Sequence, residues 1–597
     1  MEHKHWPNLA TLFFTRAGEL GDKPFLWHKV EPDWQSTSWA VAASRTAAIT
    51  RALGDLGITA GDRVALVSES RPEWPIADIA IMAAGAISVP AYTTNSVRDH
   101  LHVLTDSGAS GIIVSTSFLA KTVLQAAIDA PTVKFIIAIE DPEVTQDTGL
   151  AIHRWDDLID AHDGPPDSIA VKAAALTRDQ TACLIYTSGT GGVPKGVMLS
   201  HGAILSNCAG AIKLLSEMGL DDEVFLSFLP LSHSYEHTAG QFFPISIGAQ
   251  IYYASGVDRL SIDMAHAKPT IMTAVPRLYE VMHDRIRRGI SQAGGKKAAL
   301  FEKTITLGRK RYENPGSLGF GEKITDAFLT RLVRRKVQAG FGGRLKALVS
   351  GGAPLNYDIG VFFTALGIRI LQGYGQTESA PCISCNPPSQ FRIDAVGPPM
   401  EGVELRIAED GEILVRGELV MQGYWQNPDA TAEAIQDGWL HTGDIGVLDS
   451  DGHLRITDRK KDIIVNSGGD NLSPQRIEGL LTLQPEIAQA MVYGDKRPHV
   501  VALIVPDQEF LENWARESGR EDIDLTALVY DEEFHAEIGA AIDRINADLS
   551  VIEKIRRFIV SADPFTIENG MMTPTLKIRR HMIRTKYGDA LEALYGG

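Results

Sequence analysis

The segment Tyr186-Thr-Ser-Gly-Thr-Gly-Gly-Val-Pro-Lys-Gly196 carries the residue types needed to hold phosphate oxygens. Its four glycines let backbone N–H groups close around an anion. Thr187, Ser188 and Thr190 add hydroxyls among Gly189, Gly191 and Gly192, and Lys195 adds a mobile positive charge. The apolar run Ala182–Tyr186 reads as a strand that anchors one end of the loop. This is not a Walker A loop, because Gly196 rather than Ser or Thr follows Lys195. The chemistry it offers is neutralisation of a polyphosphate.

Three further clusters have the spacing of metal sites. His233-Ser-Tyr-Glu-His237 fits a zinc-protease pattern read backwards, but zinc needs a long helix and a distant third ligand. Cys382-Ile-Ser-Cys385 is one CxxC without a second pair, and packing is the simpler reading. Asp449-Ser-Asp-Gly452 has the start of a calcium loop without its bidentate glutamate, and reads as a hairpin turn.

In order along the chain, several segments resemble the adenylate-forming (AMP-binding) superfamily of acyl-CoA synthetases, luciferases and peptide-synthetase adenylation domains. The loop at 186–196 is similar to that family's phosphate loop, with Gly191 where a second threonine usually stands. Ser350-Gly-Gly-Ala-Pro-Leu355 and Gln372-Gly-Tyr-Gly-Gln-Thr-Glu378 resemble its adenine-binding pair. Leu440-His-Thr-Gly-Asp444 resembles its ribose segment, and Asn569–Arg580 its C-terminal loop with a catalytic lysine. Pro230-Leu-Ser-His233 resembles its acyl-pocket motif, and Thr273–Glu280 a segment of long-chain fatty acid–CoA ligases. The likeness runs from about residue 180 to 580.

The resemblance implies an enzyme that uses ATP, Mg²⁺ and CoA to activate a long- or medium-chain fatty acid through an acyl-adenylate. It implies Lys577 bridging the acid and the α-phosphate, with Glu378 and Thr187 serving catalysis and holding Mg²⁺. It implies nucleotide contacts from Thr187–Gly192, Lys195, Gly351, Gly352, Ala353, Pro354, Gln372, Gly373, Tyr374, Gly375, Gln376, Thr377, Asp444, Ile456 and Arg459. Lys461 stands at the family's hinge. His233 and Tyr235 would shape the acyl end, and Ser467, Gly468 and Gly469 a pantetheine tunnel. A ligase that loads a carrier protein, and a nucleotide-binding regulator without turnover, are the alternatives.

The elements that must position these residues are α/β. Arg63–Ser68, Ala86–Pro90, Gly111–Ser115 and Lys134–Ile139 read as buried parallel strands separated by helices such as Trp74–Ala84. From about 397 the chain turns to short strands and hairpins. The expected fold is a large N-terminal domain, 1–458, of layered α/β subdomains with a β-rich distorted barrel at about 397–458. A small, mobile α+β domain, 459–597, follows.

At 597 residues more than one domain is required. Four cysteines fit a reducing cytoplasm rather than a disulfide scaffold. No signal-peptide core is present, and the longest apolar run, near Ile79–Tyr92, is too short to span a bilayer. The net charge of −18 argues against nucleic acid. Against that background, 285–336 carries an excess of Lys and Arg that would suit a membrane surface, the CoA phosphate or plain solvation. A homodimer is compatible with the sequence but not demanded by it.

Overall fold

The computed structural model describes residues 5–143, 149–187, 193–468, 470–520, 525–573 and 578–596. Two eight-stranded sheets form the larger unit. The first runs Gly423–Tyr424, Lys195–Ser200, Thr181–Thr187, Ile87–Ala91, Arg63–Val67, Gly111–Val114, Phe135–Ala138, Ala151–Arg154. The second runs Cys382–Cys385, Ile370–Gly375, Ala347–Ser350, Ile271–Ala274, Val224–Ser227, Gln250–Tyr253, Pro24–Val30, Asp33–Ser38. Both are parallel in the middle and antiparallel towards one or both edges. Helices cover the faces, so the central strands read as continuous apolar runs.

One helix shows how the layers join. Glu73–Ala83 is buried at every position from Trp74 onward. A helix apolar on every face but for Asp78 belongs inside, and this one lies in the core that also holds Phe13, Trp39, Ile185 and Phe242. The run Ile79–Tyr92 is therefore this helix and the strand Ile87–Ala91, not a membrane segment. Among the described residues no helix is long and apolar enough to cross a membrane.

The candidate loops follow the carboxyl ends of parallel strands, where open α/β sheets place ligands. Residues 351–354 follow Ala347–Ser350, and 376–378 follow Ile370–Gly375. The helix Pro276–Ala293 follows Ile271–Ala274. The loop 188–192 lies outside the described residues, but Thr187 and Lys195 face each other across the antiparallel pair that flanks it.

Between 404 and 459 five short strands form an antiparallel sheet. Its longest strand, Trp439–Leu448, pairs with Glu412–Arg416, Ile435–Gln436 and Leu454–Arg459, with bulges that bend it. The turn at Asp449–Gly452 is closed by Asp449 itself, whose carboxylate accepts from Asp451 and His453 N–H at 3.0 and 2.9 Å.

The C-terminal residues build a separate core around Ile487–Tyr493, Val500–Pro506 and Ile555–Val560. Val500, Ala502 and Ile504 enter one cluster with Ile477, Phe534 and Ile538. Val501, Leu503 and Val505 enter another with Phe565, Ile583 and Leu591. The period-two alternation thus buries both faces of the strand. This unit touches the larger one through Leu483, packed on the cluster around Leu278 and Phe362, and through an Arg288–Glu509 ion pair.

Candidate functional site

The ribose-side residues meet on paired strands. Asp444 and Arg459 are cross-strand partners, and their side chains form an ion pair at 3.3 Å. Tyr374 donates its hydroxyl to Asp444 Oδ2 at 2.7 Å. Burial and the Asp444 carboxylate push the Tyr374 phenol well up, so it remains a donor. Ile456 and Tyr374 both pack against the small cluster that holds Ile383 and Ile413. Gln372 is fixed by its amide donating to Ile393 O at 2.5 Å. Gly375 is obligatory, because a Cβ there would lie 1.8 Å from Pro381 O. Cys382 and Cys385 lie over Gly373, their sulfurs each 3.6 Å from where its Cβ would be. They are packing residues, and no metal-binding cluster exists among the described residues.

The phosphate side is assembled around Tyr424. Its hydroxyl donates to Glu378 Oε1 at 2.7 Å, and its ring lies under Lys195, with Nζ 4.8 Å from the centroid. Pairing of Gly423–Tyr424 with Val197 and Met198 puts it there. Tyr424 therefore links Glu378 to the Thr187–Lys195 neck. The second oxygen of Glu378 has no hydrogen bond among the described residues. That hard oxygen fits Mg²⁺, with Thr187 at the neck as the other candidate. The neck is braced from outside. Tyr186 donates to Asp106 Oδ2 at 2.6 Å, His102 Nε2 to Pro194 O at 2.8 Å, and Trp425 N–H to Gly196 O at 2.7 Å. Ser188, Gly189, Thr190, Gly191 and Gly192 lie outside the described residues.

The acyl-motif segment is stitched to both nucleotide loops. Tyr235 donates to Val349 O at 2.8 Å, and its ring abuts Gly351, where a Cβ would be 3.1 Å from Cζ. Gly352, at φ +85°, turns the chain towards Ala353 and Pro354. Ser234 and Thr377 share a hydrogen bond at 2.9 Å, and Thr238 donates to Ala380 O at 3.0 Å. Gln376 N–H donates to Ser379 Oγ at 3.2 Å, closing the turn that presents Thr377 and Glu378. His233 accepts from Tyr235 N–H through Nδ1 at 3.2 Å.

The zinc pattern dissolves in three dimensions. His237 Nε2 bonds to buried Asp78 at 3.0 Å, in a widened helical turn, Glu236–Phe242. Glu236 points to the sheet instead and accepts from Ser227 and Thr273 at 2.6 Å each.

Burial pushes the Glu236 carboxyl up to about 7, against the pull of those two hydroxyls. The folded protein therefore binds a proton that the unfolded chain, at 4.5, has released. The sign follows: this contribution is present at low pH and lost as pH rises from 4.5 through about 7. Its size is on the order of 3 kcal/mol. Glu236→Gln, which keeps one acceptor and offers an amide to the other hydroxyl, should lose that component. Melting temperatures of both proteins across this pH range measure it; parallel profiles would contradict the assignment.

The C-terminal loop is held at its neck. Met572 bridges Ile578, and Arg579 N–H donates to Met571 O at 2.7 Å. Arg580 forks onto buried Glu478 at 2.6 and 2.5 Å. Lys577 itself lies outside the described residues. At the expected hinge, Lys460 N–H donates to Gly443 O at 2.8 Å, and Lys460 Nζ meets Asp410 and Glu412 at 2.7 and 3.0 Å. Lys460 is thus pinned to the five-stranded sheet, and exposed Lys461 is the first residue beyond it. Ser467 and Gly468 sit in a turn organised by Asn466, and their hydrogen bonds go to Arg497 O at 3.0 Å and Asn466 Oδ1 at 2.9 Å. Among the described residues these bonds stay inside the C-terminal unit and do not join the nucleotide loops. Gly469 lies outside the described residues.

The profile described as AMP-binding enzyme matches residues 13–425, and that of the AMP-binding enzyme C-terminal domain matches 461–597. The chain belongs to the AMP-binding enzyme family. A long-chain-fatty-acid–CoA ligase, FadD15 of Mycobacterium bovis, is 36% identical over 98% of this chain and 97% of its own. The peroxisomal long chain acyl-CoA synthetase 7 of Arabidopsis thaliana is 30% identical over 99% of this chain and 87% of its own. Among solved structures, the adenylation domain of a Mycobacterium chelonae carboxylate reductase superposes with a TM-score of 0.74 at 23% identity, over 100% of this chain and 92% of that one. An anthranilate CoA ligase bound to anthranoyl-AMP gives 0.74 at 21%, over 99% of both chains. These two likenesses concern the fold.

In this AMP-binding enzyme, Tyr424 was invisible to motif reading. It lies 46 residues from Glu378 in sequence, and only the Gly423–Tyr424 edge pairing brings it in. The sole sequence signal is the Gly423-Tyr-Trp425 aromatic pair after a β-rich run. Burial and the Glu378 carboxylate push its phenol well up, keeping it a donor. Tyr424→Phe removes only the hydroxyl that orients the proposed Mg²⁺ ligand. The magnesium concentration for half-maximal adenylate formation should rise roughly 10–100-fold. Initial rates against Mg²⁺ at fixed ATP test this, and an unchanged requirement would contradict the role.

Proposed function

We propose that this AMP-binding enzyme converts a long- or medium-chain fatty acid to its CoA thioester in two steps. The acid's carboxylate oxygen attacks the α-phosphorus of ATP, and the bond to the β-phosphate bridging oxygen breaks to release pyrophosphate. The thiol of CoA then attacks the acyl carbonyl, loses its proton, and AMP leaves. The observation that carries this chemistry is the stitching of the His233–Thr238 segment to both nucleotide loops through Tyr235–Val349 and Ser234–Thr377. It supports reading His233–Thr238 as an acyl-side motif next to the residues expected to hold ATP. The substrate class is supported by full-length relatives named as long-chain fatty acid–CoA ligases.

Both reactants of the first step are anions, so the task is neutralisation and in-line positioning. Lys195, the loop donors of Thr187–Gly192 and Lys577 would supply positive charge. Glu378 would hold Mg²⁺, with Thr187 beside it; bound there, the ion screens the triphosphate. Tyr374, Asp444 and Arg459 would fix the ribose. Lys461 would be the pivot about which residues 459–597 turn on the unit 1–458, taking Lys577 away and bringing Ser467, Gly468 and Gly469 to the site.

Acid-dependent isotope exchange between pyrophosphate and ATP, run from acetate to oleate, tests the substrate class. Exchange rising with chain length supports it. Exchange with aryl or amino acids alone would remove it.

A further inference from the structure

Residues Phe320–Leu329, Thr330–Arg334 and Arg335–Gly340 form one helical rod with a widened central turn. Its inner face is firmly held. Leu329 packs with Leu307 and Leu318. Arg334, buried, donates to Ala365 O at 2.7 Å and to Asp326 Oδ1 at 2.6 Å. The rod is therefore docked on the large unit through the helix Tyr357–Ala365, which follows the 351–354 loop.

Its outer face is unpartnered. Phe320, Ile324, Phe328 and Leu332 are 83%, 59%, 58% and 39% exposed. They recur every four residues, and the widened turn at Thr330–Arg334 reduces the drift such a repeat accumulates on an ordinary helix. A continuous stripe of this kind marks an interaction site.

The charges around it have one sign. Glu322 is taken by Lys310 at 2.8 Å, and Asp326 by Arg311 and Arg334 at 2.9 and 2.6 Å. Exposed Lys323, Arg331, Arg335 and Lys336 have no carboxylate partner among the described residues. Beside the stripe an open groove of about 800 Å³ sets Lys323, Arg331 and Arg335, with the paired Arg311 and Asp326, around Leu318, Ala327 and Phe328. Basic side chains rimming an apolar floor match an anionic headgroup above acyl chains.

We infer that this rod is an in-plane docking element for an anionic phospholipid surface. Phe320, Ile324 and Phe328 enter the headgroup–acyl boundary, while Lys323, Arg331 and Arg335 meet lipid phosphates. A second copy is a poor occupant, because two such faces would oppose like charges. A protein with net charge −18 is otherwise repelled by such a surface, so attraction must be local to this face. Docking rests on the rod alone; its use in collecting water-insoluble acid rests on the fatty-acid reading.

The full chain is sedimented with vesicles of phosphatidylcholine, with and without phosphatidylglycerol, at low and high salt. The chain should partition onto the anionic vesicles, and high salt should release it. The triple variant K323E/R331E/R335E should lose roughly 100-fold in partitioning, and F320S/I324S/F328S roughly tenfold or more. Both should keep wild-type turnover of a dissolved medium-chain acid, since these side chains lie outside the proposed site. Wild-type chain left in the supernatant, equal binding to neutral vesicles, or variants that bind like wild type would overturn the inference. So would a wild-type dimer that the phenylalanine variant dissolves without any vesicle binding. Vesicle binding by a chain that activates no fatty acid would sink the fatty-acid reading and leave docking intact.

Discussion

Lys577→Ala should lower adenylate formation about 10²–10³-fold, while thioester formation from supplied acyl-AMP and CoA stays near wild type. The expected loss, roughly 3–4 kcal/mol, is that of one well-placed charge donor to a developing anion. In the first step two anions are brought together, and a compact ammonium on a long stem can touch both. In the second the attacking group is a thiol and the leaving group already carries its phosphate, so the demand on this lysine disappears. The neck that presents the loop, with Met572 bridging Ile578 and Arg580 forked on Glu478, is untouched by the substitution. Measured separately, the two half-reactions should therefore diverge. Equal loss in both would mean that Lys577 serves the fold or both steps, and domain alternation would lose its support.

Lys461→Pro should produce the mirror image. Lys460 is fixed to the β-rich sheet through Gly443, Asp410 and Glu412. Just beyond, Asp462 and Ile463 N–H both donate to Arg459 O, at 2.8 and 3.0 Å. A rotation of the C-terminal unit must be absorbed within this short turn. Proline locks φ at 461 and restricts the residue before it. A unit held in one orientation can run one half-reaction and misplaces groups for the other, a loss of about 100-fold. We expect adenylate formation to survive and thioester formation to fall. Thioester formation at the wild-type rate would remove Lys461 as the pivot.

The sequence made the loops legible because their chemistry is local. Glycines at 373 and 375, hydroxyls at 187 and 188 and the acid at 378 declare what a backbone close to phosphate or base needs. The strand Arg63–Val67 was equally plain, since burial on a sheet writes itself into runs of Val, Ile and Leu, and Glu404–Ile407 showed itself by alternation instead. What stayed hidden depends on distant partners. Tyr424 joins Glu378 only through an edge pairing, and Asp106 reaches Tyr186 from 80 residues away. His233, Glu236 and His237 formed a metal pattern in one dimension, but His237 is bonded to Asp78 and Glu236 to Ser227 and Thr273. The excess charge of 285–336 was countable, yet its counting could not show that Glu322 and Asp326 are already paired, leaving a positive face around an apolar stripe.

The most direct test of the account is AMP release from ATP by the full chain, given a long-chain fatty acid with and without CoA. AMP and acyl-CoA should form together, only when acid and CoA are both present, with pyrophosphate exchange requiring the acid alone. Acid-dependent exchange with no AMP formed on addition of CoA would contradict it, and would point to a carrier protein as the acyl acceptor.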